Sequence, residues 1–239
     1  MKYINNFDKG FLDHKNILVT GSTSGIGKEL ALGLSSYGAN VILHGKNEDS
    51  LDEIYDEIIQ KFNTNPIIVK CDLNDLDESK AQEFANAIQG SYERLDGIVN
   101  NAAIIGKMST LADYDLSTWQ KVININVTSS YVLTKYLVPL MEGSKNPRII
   151  FTSSGVAEKG RAYWGAYAVS KAAVKSLAEI LQEELEPISQ IRIFNFDPGK
   201  TKTAMRAFAY PAENPNDLKD ASSLLPYYLW MLSEQSDET

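Results

Sequence analysis

The segment Asn16-Ile17-Leu18-Val19-Thr20-Gly21-Ser22-Thr23-Ser24-Gly25-Ile26-Gly27 decides the fold of this chain. Residues 16–20 are a short run rich in apolar and β-branched side chains, and the glycine-rich turn after them leads into residues 25–37. There Ile26, Leu30 and Leu34 recur at helical spacing and share one face. Glycine at 21, 25 and 27 removes the side chains that would hold a ligand away from the turn's backbone amides. The helix that opens from the turn adds the partial positive charge of its N-terminus. The combination suits a pyrophosphate; the plain alternative is a tight strand–helix turn that holds no ligand.

The same alternation continues outward from this segment. Short apolar runs recur at residues 40–43, 66–70, 95–100, 148–152 and 191–196, with helical segments between them. Residues 48–62, for example, place Leu51, Ile54, Ile58 and Phe62 on one face. Runs that are apolar throughout suit strands covered on both faces, as in a parallel sheet. Alternation along the whole chain predicts a doubly wound α/β fold with helices on both faces and strand order 3-2-1-4-5-6. Residues 1–239 read as one nucleotide-binding domain with a variable substrate-loop region at about 204–225.

Composition narrows the function classes. Hydrophobic residues at 44% and charged residues at 23% are globular values and argue against a disordered chain. A net charge of −8 argues against nucleic-acid binding, which needs a basic surface. The single cysteine, Cys71, leaves no intrachain disulfide and reads as a small core residue. Two histidines, His14 and His44, are too few for a metal site, so no metal is expected. Residues 1–15 lack the apolar core of a signal peptide, and no apolar run approaches the ~18 residues of a membrane span. These readings predict a cytoplasmic protein with no membrane partner. The acidic stretch 233–239 reads as a solvated end.

Farther along, Ser154, Tyr167 and Lys171 form a spaced trio, the lysine four residues after the tyrosine. A Tyr-x-x-x-Lys pair alone carries little: Tyr131 and Lys135 make another, with Thr118 where the serine would have to stand. What gives the trio weight is its setting. Gly21, Gly45-Lys46, Asp72, Asn101-Ala102, Ser154 and Pro198-Gly199 each fall just past the carboxyl end of a predicted strand. Open α/β sheets bind ligands along that edge, and motifs scattered by chance would not share it.

Together these residues resemble the short-chain dehydrogenase/reductase family, whose members have a Rossmann-like fold. The likeness runs from Lys15 to about Leu232. The family's Thr-Gly-x-x-x-Gly-x-Gly motif is met in full from Thr20 to Gly27. Its Asn-Asn-Ala-Gly motif appears as Asn100-Asn101-Ala102-Ala103, and its helix asparagine matches Asn126. Its Pro-Gly-x-x-x-Thr motif appears as Pro198-Gly199-Lys200-Thr201-Lys202-Thr203. The segments around Gly160–Tyr167 and Pro198–Arg206 further resemble the bacterial YciK-type branch. Two departures stand out. Ala103 replaces a glycine close to the expected nicotinamide. The family's usual seventh strand has no counterpart here, which bears on whether a homodimer or a homotetramer forms.

The resemblance implies a hydride transfer between a nicotinamide cofactor and a carbonyl/alcohol substrate. The implied cofactor contacts are Gly21, Ser22, Thr23, Ser24, Gly25, Ile26, Gly27, Gly45, Lys46, Asn47, Asp72, Leu73, Asn101, Ala102, Ala103, Tyr167, Lys171, Pro198, Gly199, Thr201 and Thr203. An NAD site usually has a carboxylate after the second strand to bind the ribose 2′-hydroxyl. Here Gly45 and then Lys46 stand there, which favours the 2′-phosphate of NADP(H); with Lys46 as a mere surface lysine, NAD(H) is the alternative. The family pattern gives Asp72 the adenine amino group; the plain alternative is a cap on the following helix.

The implied catalytic set is Ser154, Tyr167, Lys171 and Asn126. A free phenol is a poor base near neutral pH, and the Lys171 ammonium is expected to lower the Tyr167 pKa. The family gives that lysine the nicotinamide ribose hydroxyls as well. Ser154 is expected to hold the substrate oxygen, and Asn126 resembles the residue that anchors a water leading from the lysine. Specificity is expected from residues 155–166 and 204–225. The first segment brings Arg161, Tyr163 and Trp164; the second, which reads as a loop or short helical lid, brings Met205, Arg206, Phe208 and Tyr210. The aromatics of the second are expected to line an apolar pocket, with Arg206 or Arg161 meeting a polar or acidic group, or to pack against another subunit. A non-catalytic dinucleotide-binding sensor or scaffold is the rival reading.

Overall fold

Six runs become strands: β1 (Asn16–Thr20), β2 (Asn40–Gly45), β3 (Ile67–Lys70), β4 (Gly97–Asn100), β5 (Arg148–Thr152) and β6 (Arg192–Phe196). They form one parallel sheet in the order β3-β2-β1-β4-β5-β6, as expected. The computed structural model describes residues 7–238; what was expected of residues 1–6 and of Thr239 lies outside the described residues. Every residue of β1, β4 and β5 is buried, which is why these strands read as unbroken apolar runs. Along β1, Ile17 and Val19 enter one core layer and Leu18 the other.

Helices cover both faces. On one side lie α1 (Gly25–Ser35) and α2 (Glu48–Lys61), which meet the sheet through Leu30, Leu34, Leu51 and Ile54. On the other lie α3 (Glu78–Gln89), α4 (Leu116–Ile123), α5 (Ser129–Leu137) and α6 (Gly165–Leu185). Phe84, Ile88, Leu133, Leu137 and Val174 form that layer with Leu18, Ile98 and Phe151. A π-helical turn, Asn124–Thr128, joins α4 to α5. After β6 come α7 (Ala204–Ala209) and α8 (Leu225–Met231).

Some element ends differ from expectation for physical reasons. The first helix stops at Ser35, short of residue 37, because Gly38 at φ +98° turns the chain toward β2. The fourth strand starts at Gly97, since Asp96 before it is a buried clamp. Its carboxylate accepts from the Asn16 N–H (3.0 Å), Ser144 Oγ (2.7 Å) and Arg94 Nε (3.1 Å).

One larger reading is filled in and another is corrected. Residues 204–225, which read as a loop or short helical lid, hold α7 and short 3₁₀ turns that lead into α8, which packs on α1. Gly33 makes room for that contact: a Cβ there would come within 2.7 Å of Leu225. The tail is only in part a solvated end: Glu234, Gln235 and Asp237 are exposed, but Ser233 and Ser236 are buried. Asp237 makes a two-oxygen contact with the Arg148 guanidinium at 2.8 and 2.9 Å, and Arg148 is only 1% exposed. A charge so deep needs a partner, and the acidic tail provides it.

Candidate active site

The carboxyl ends of the six strands open into one cleft of about 360 Å³, lined by the turns that follow each of them. Its size falls within the range usual for small-molecule sites.

At the nucleotide end, the turn after β1 is shaped by backbone. Gly21 (φ +68°) and Gly25 (φ +53°) occupy the left-handed region. Gly27 allows no side chain at all, because a Cβ would lie 2.1 Å from the Gly21 carbonyl oxygen. The start of α1 is left open. Ser24, its N-cap, makes no side-chain capping bond, and no acidic residue sits in the first turn. By contrast α2, α3 and α4 are capped by Asn47, Asp77 and Asp115. Free N–H groups at a helix start, facing a cleft, form an anion site.

Thr20 ties this turn to the end of β4. Its Oγ1 accepts from the N–H groups of Asn101 (2.9 Å) and Ala102 (3.0 Å), while Asn101 Nδ2 donates to the Thr20 carbonyl (3.0 Å). Gly45 is required by closeness too, since a Cβ there would meet Thr23 at 2.9 Å. Lys46 is exposed, lines the cleft and has no ion pair among the described residues. Its neighbour Glu48 is already engaged by Lys70 at 2.6 Å. Asp72 lines the cleft and also caps the short turn Leu73–Asp75, its Oδ1 accepting from the Asn74 N–H, so the capping reading of that residue holds.

Sequence reasoning missed His44. Its Nδ1 accepts from the Gly21 N–H at 3.2 Å, and burial pushes the imidazole down to about 4, so it is neutral and carries its proton on Nε2. The signal was a polar residue closing the apolar run Val41-Ile42-Leu43. Cys71, read as a core residue, is half-buried and lines the same end; burial pushes its thiol up.

At the other end, Ser154, Tyr167 and Lys171 converge as expected, and all three line the cleft. Ser154 leads out of β5, while Tyr167 and Lys171 sit one turn apart on α6, 7% and 4% exposed. Burial pushes the Tyr167 phenol up to about 12, against a hydrogen bond with Ser154 that lowers it; the Asp197 carboxylate raises it further. The net shift is therefore opposite to the lowering expected from Lys171, because burial outweighs it. Lys171 Nζ lies 5.7 Å from the ring centroid and donates to the Thr152 carbonyl at 2.6 Å, and its own burial pushes it down to about 8.

Four expected residues do not line the cleft. Ser22 is fully buried and exchanges hydrogen bonds with the His44 backbone. Gly27 packs inside the turn, and Asn47 caps α2. Asn126, in the π-turn, accepts from the Ile104 N–H (2.8 Å) and donates to the Ile104 carbonyl and Ser170 Oγ (2.9 Å each). Its amide is therefore engaged by the segment after β4 that carries Ile104 and by Ser170. The remaining positions, Ile26, Leu73, Ala103, Pro198, Gly199, Thr201 and Thr203, all line the cleft.

Where substrate is expected, the cleft is lined by Ile104, Ile105, Trp164, Met205, Arg206 and Ala209. Arg161, Tyr163 and Phe208 are exposed and lie outside it. The decoy pair separates as well: Tyr131 is exposed and Lys135 binds Glu78 at 2.6 Å.

The short chain dehydrogenase family model matches residues 15–214, and this chain belongs to the short-chain dehydrogenase/reductase family of oxidoreductases. YciK of Escherichia coli (strain K12), an uncharacterized oxidoreductase, is 38% identical over 225 residues, 94% of this chain and 88% of YciK. A short chain dehydrogenase from Shigella flexneri 2a str. 301, solved with NADP, superposes with a TM-score of 0.93 at 38% identity, covering 96% of this chain and 95% of that one. Another, from Escherichia coli CFT073 and solved with NADPH, gives 0.94 at 37% identity, covering 98% and 96%. No helix among the described residues is long and apolar enough to cross a membrane.

Proposed function

We propose that this chain is an NADP(H)-dependent oxidoreductase that interconverts a carbonyl compound and its alcohol. The observation that carries the reading is the meeting of Ser154, Tyr167 and Lys171 in the same cleft as the uncapped start of α1. The residues fit a dinucleotide: an open helix start and close-packed glycines for the pyrophosphate, and, where a 2′-phosphate would lie, Lys46 with no ion pair among the described residues. The Shigella and Escherichia relatives solved with NADP and NADPH support that choice.

The bound nicotinamide supplies the hydride chemistry. Tyr167, kept protonated by burial, acts as the acid that gives its proton to the substrate oxygen during reduction. Ser154 donates to that oxygen and holds it beside the phenol. Lys171, as an ammonium, binds the nicotinamide ribose and stabilises the phenolate left after proton transfer. Oxidation of the alcohol reverses the steps. Thr152 anchors Lys171, and Asn126 acts by positioning Ile104. Tyr131, Val169 and Ile180 leave exposed apolar surface on α5 and α6, which supports a homodimer through those helices.

Tyr167→Phe tests the reading. Turnover of a carbonyl panel with NADPH is expected to fall by about 10³-fold, with NADPH affinity, followed by fluorescence titration, unchanged within about twofold. Unchanged turnover refutes the assigned acid. Tight NADPH binding with no turnover of any carbonyl by the native chain points to the non-catalytic reading.

A further inference from the structure

We propose that the substrate of this site is an uncharged, predominantly apolar carbonyl compound, and that the Arg206–Glu213 pair excludes carboxylate-bearing analogues. The proposal rests on the oxidoreductase reading above and specifies its substrate class.

The packing against the Tyr167 ring is apolar. Ile105, Val156 and Ala168 form a buried cluster with its ring, and Met108, Trp164, Met205 and Ala209 pack against that cluster. Arg206 lines the same cleft as this wall, and the sequence alone offered it, with Arg161, as an anchor for a polar or acidic group. The structure gives it another partner. Its Nε donates to Glu213 Oε2 at 2.6 Å and its Nη2 to Glu213 Oε1 at 2.7 Å, a parallel fork that leaves the carboxylate fully engaged. The guanidinium face lies 3.7 Å from the centroid of Tyr210, so both its edge and its plane are in use. Tyr210 packs on Trp164, and Trp164 on Tyr167, with centroids 5.8 and 5.7 Å apart. The pair is largely shielded, with side-chain exposures of 18% and 21%.

Two other cations line the cleft, and neither offers a substitute. Lys46 stands beyond β2, on the far side of β1 from Ser154. Lys171 is already engaged, its Nζ donating to the Thr152 carbonyl at 2.6 Å. Asp197 lines the same space, and its charge raises the proton affinity of both Tyr167 and Lys171; an anionic guest would meet repulsion there. A substrate carboxylate would have to lose its hydration without a partner or break a two-point ion pair, and both are unfavourable. An apolar group gains by leaving water against Trp164, Met205 and Ile105.

Methyl 4-acetylbenzoate and 4-acetylbenzoate test this, since they share the ketone and differ in the charge at the far end. At saturating NADPH, kcat/KM for the ester is expected to exceed that for the carboxylate by about 30-fold or more. A ratio near one, or a preference for the carboxylate, overturns the proposal. Arg206→Met is expected to leave the order of the two unchanged. A loss of about 100-fold confined to the carboxylate in that variant would show Arg206 to be a substrate anchor, and the proposal would fail. Glu213→Gln frees the guanidinium fork and is expected to narrow the ratio about tenfold, through KM for the carboxylate, with kcat for the ester nearly unchanged. An unchanged ratio in a folded Glu213→Gln protein removes the pair from the explanation. Calorimetric titration of the corresponding alcohols into the NADP⁺ complex separates failure of this proposal from failure of the reading beneath it. Tighter binding of the ester alcohol, by about tenfold, supports the apolar site even where neither ketone turns over, and equal binding refutes it.

Discussion

The two ends of the cleft are made of different material. The nucleotide end is backbone: glycines at φ +68° and +53°, an uncapped helix start, and a turn held by Thr20. The reaction end is side chain: a buried phenol and amine, an aromatic stack and an ion pair reaching from Arg206 to Glu213. Backbone amides suit a pyrophosphate, whose shape does not change from one substrate to the next. Side chains suit a pocket that must discriminate between guests and move a proton. If the division is real, damage at each end should register in a different measurement.

The largest effect belongs to the reaction end. Tyr167→Phe should reduce turnover by about 10³-fold and spare NADPH binding, as above. The matching lesion at the nucleotide end is Gly27→Ala. Its methyl would lie 2.1 Å from the Gly21 carbonyl oxygen and 2.7 Å from Asn101 Nδ2, so backbone has to move. NADPH affinity should fall by about 100-fold, with about 1–3 kcal/mol of stability lost in chemical denaturation. If Gly27→Ala binds NADPH normally, the turn is more pliable than its packing implies and the comparison breaks.

The same division explains what could be read from sequence. Backbone-built features are local, so they leave compact patterns: Thr20 to Gly27 names both the fold and the phosphate turn, and the alternation of runs gives the strand order. The Tyr167–Lys171 spacing was readable because both lie on one helix. The protonation of Tyr167 was not, since it depends on burial by Trp164, Ile105 and Met205, which come from three segments. Neither was the engagement of Arg206, because Glu213 lies across a turn whose path no periodicity encodes. α8 escaped notice because its contact depends on a glycine of α1, Gly33, almost 200 residues earlier in the chain (roughly the whole domain). The acidic tail looked solvated because its partner, Arg148, sits in a strand that reads as apolar.

A pH profile sharpens the reaction end. Lys171 is pushed down to about 8, so its ammonium is present below that pH and is lost above it. Binding the ribose and stabilising the phenolate both need the charge. Reduction in single-turnover experiments should therefore decline as pH rises through about 8, by roughly tenfold per unit on the descending limb. ¹⁵N NMR of Lys171 Nζ should show the same titration. A rate that stays flat from pH 7 to 10 removes Lys171 from this role.

Lys46 tests whether any side chain matters at the nucleotide end. Lys46→Ala should weaken NADPH binding about tenfold, or ~1.4 kcal/mol, and leave NADH within about twofold. Because the residue is exposed, the difference should shrink as salt is added. Equal losses for the two cofactors would mean that Lys46 does not meet the 2′-phosphate.

The smallest effect expected comes from a residue that touches neither end directly. Tyr228 of α8 is buried, and its hydroxyl lies 3.0 Å from Thr152 Oγ1; the carbonyl of the same Thr152 receives Lys171 Nζ at 2.6 Å. The helix thus braces the residue on which the amine rests. Tyr228→Phe keeps the packing and removes one buried hydrogen bond, leaving Thr152 Oγ1 without that partner. The loss should be about 1–2 kcal/mol in denaturant unfolding. Because Thr152 fixes the amine, kcat should also fall a few-fold, about two to five, and the alkaline limb set by Lys171 should shift. Loss of stability with an unmoved limb would make Tyr228 a packing residue only, and would confine the side-chain machinery of the reaction end to the residues that line the cleft.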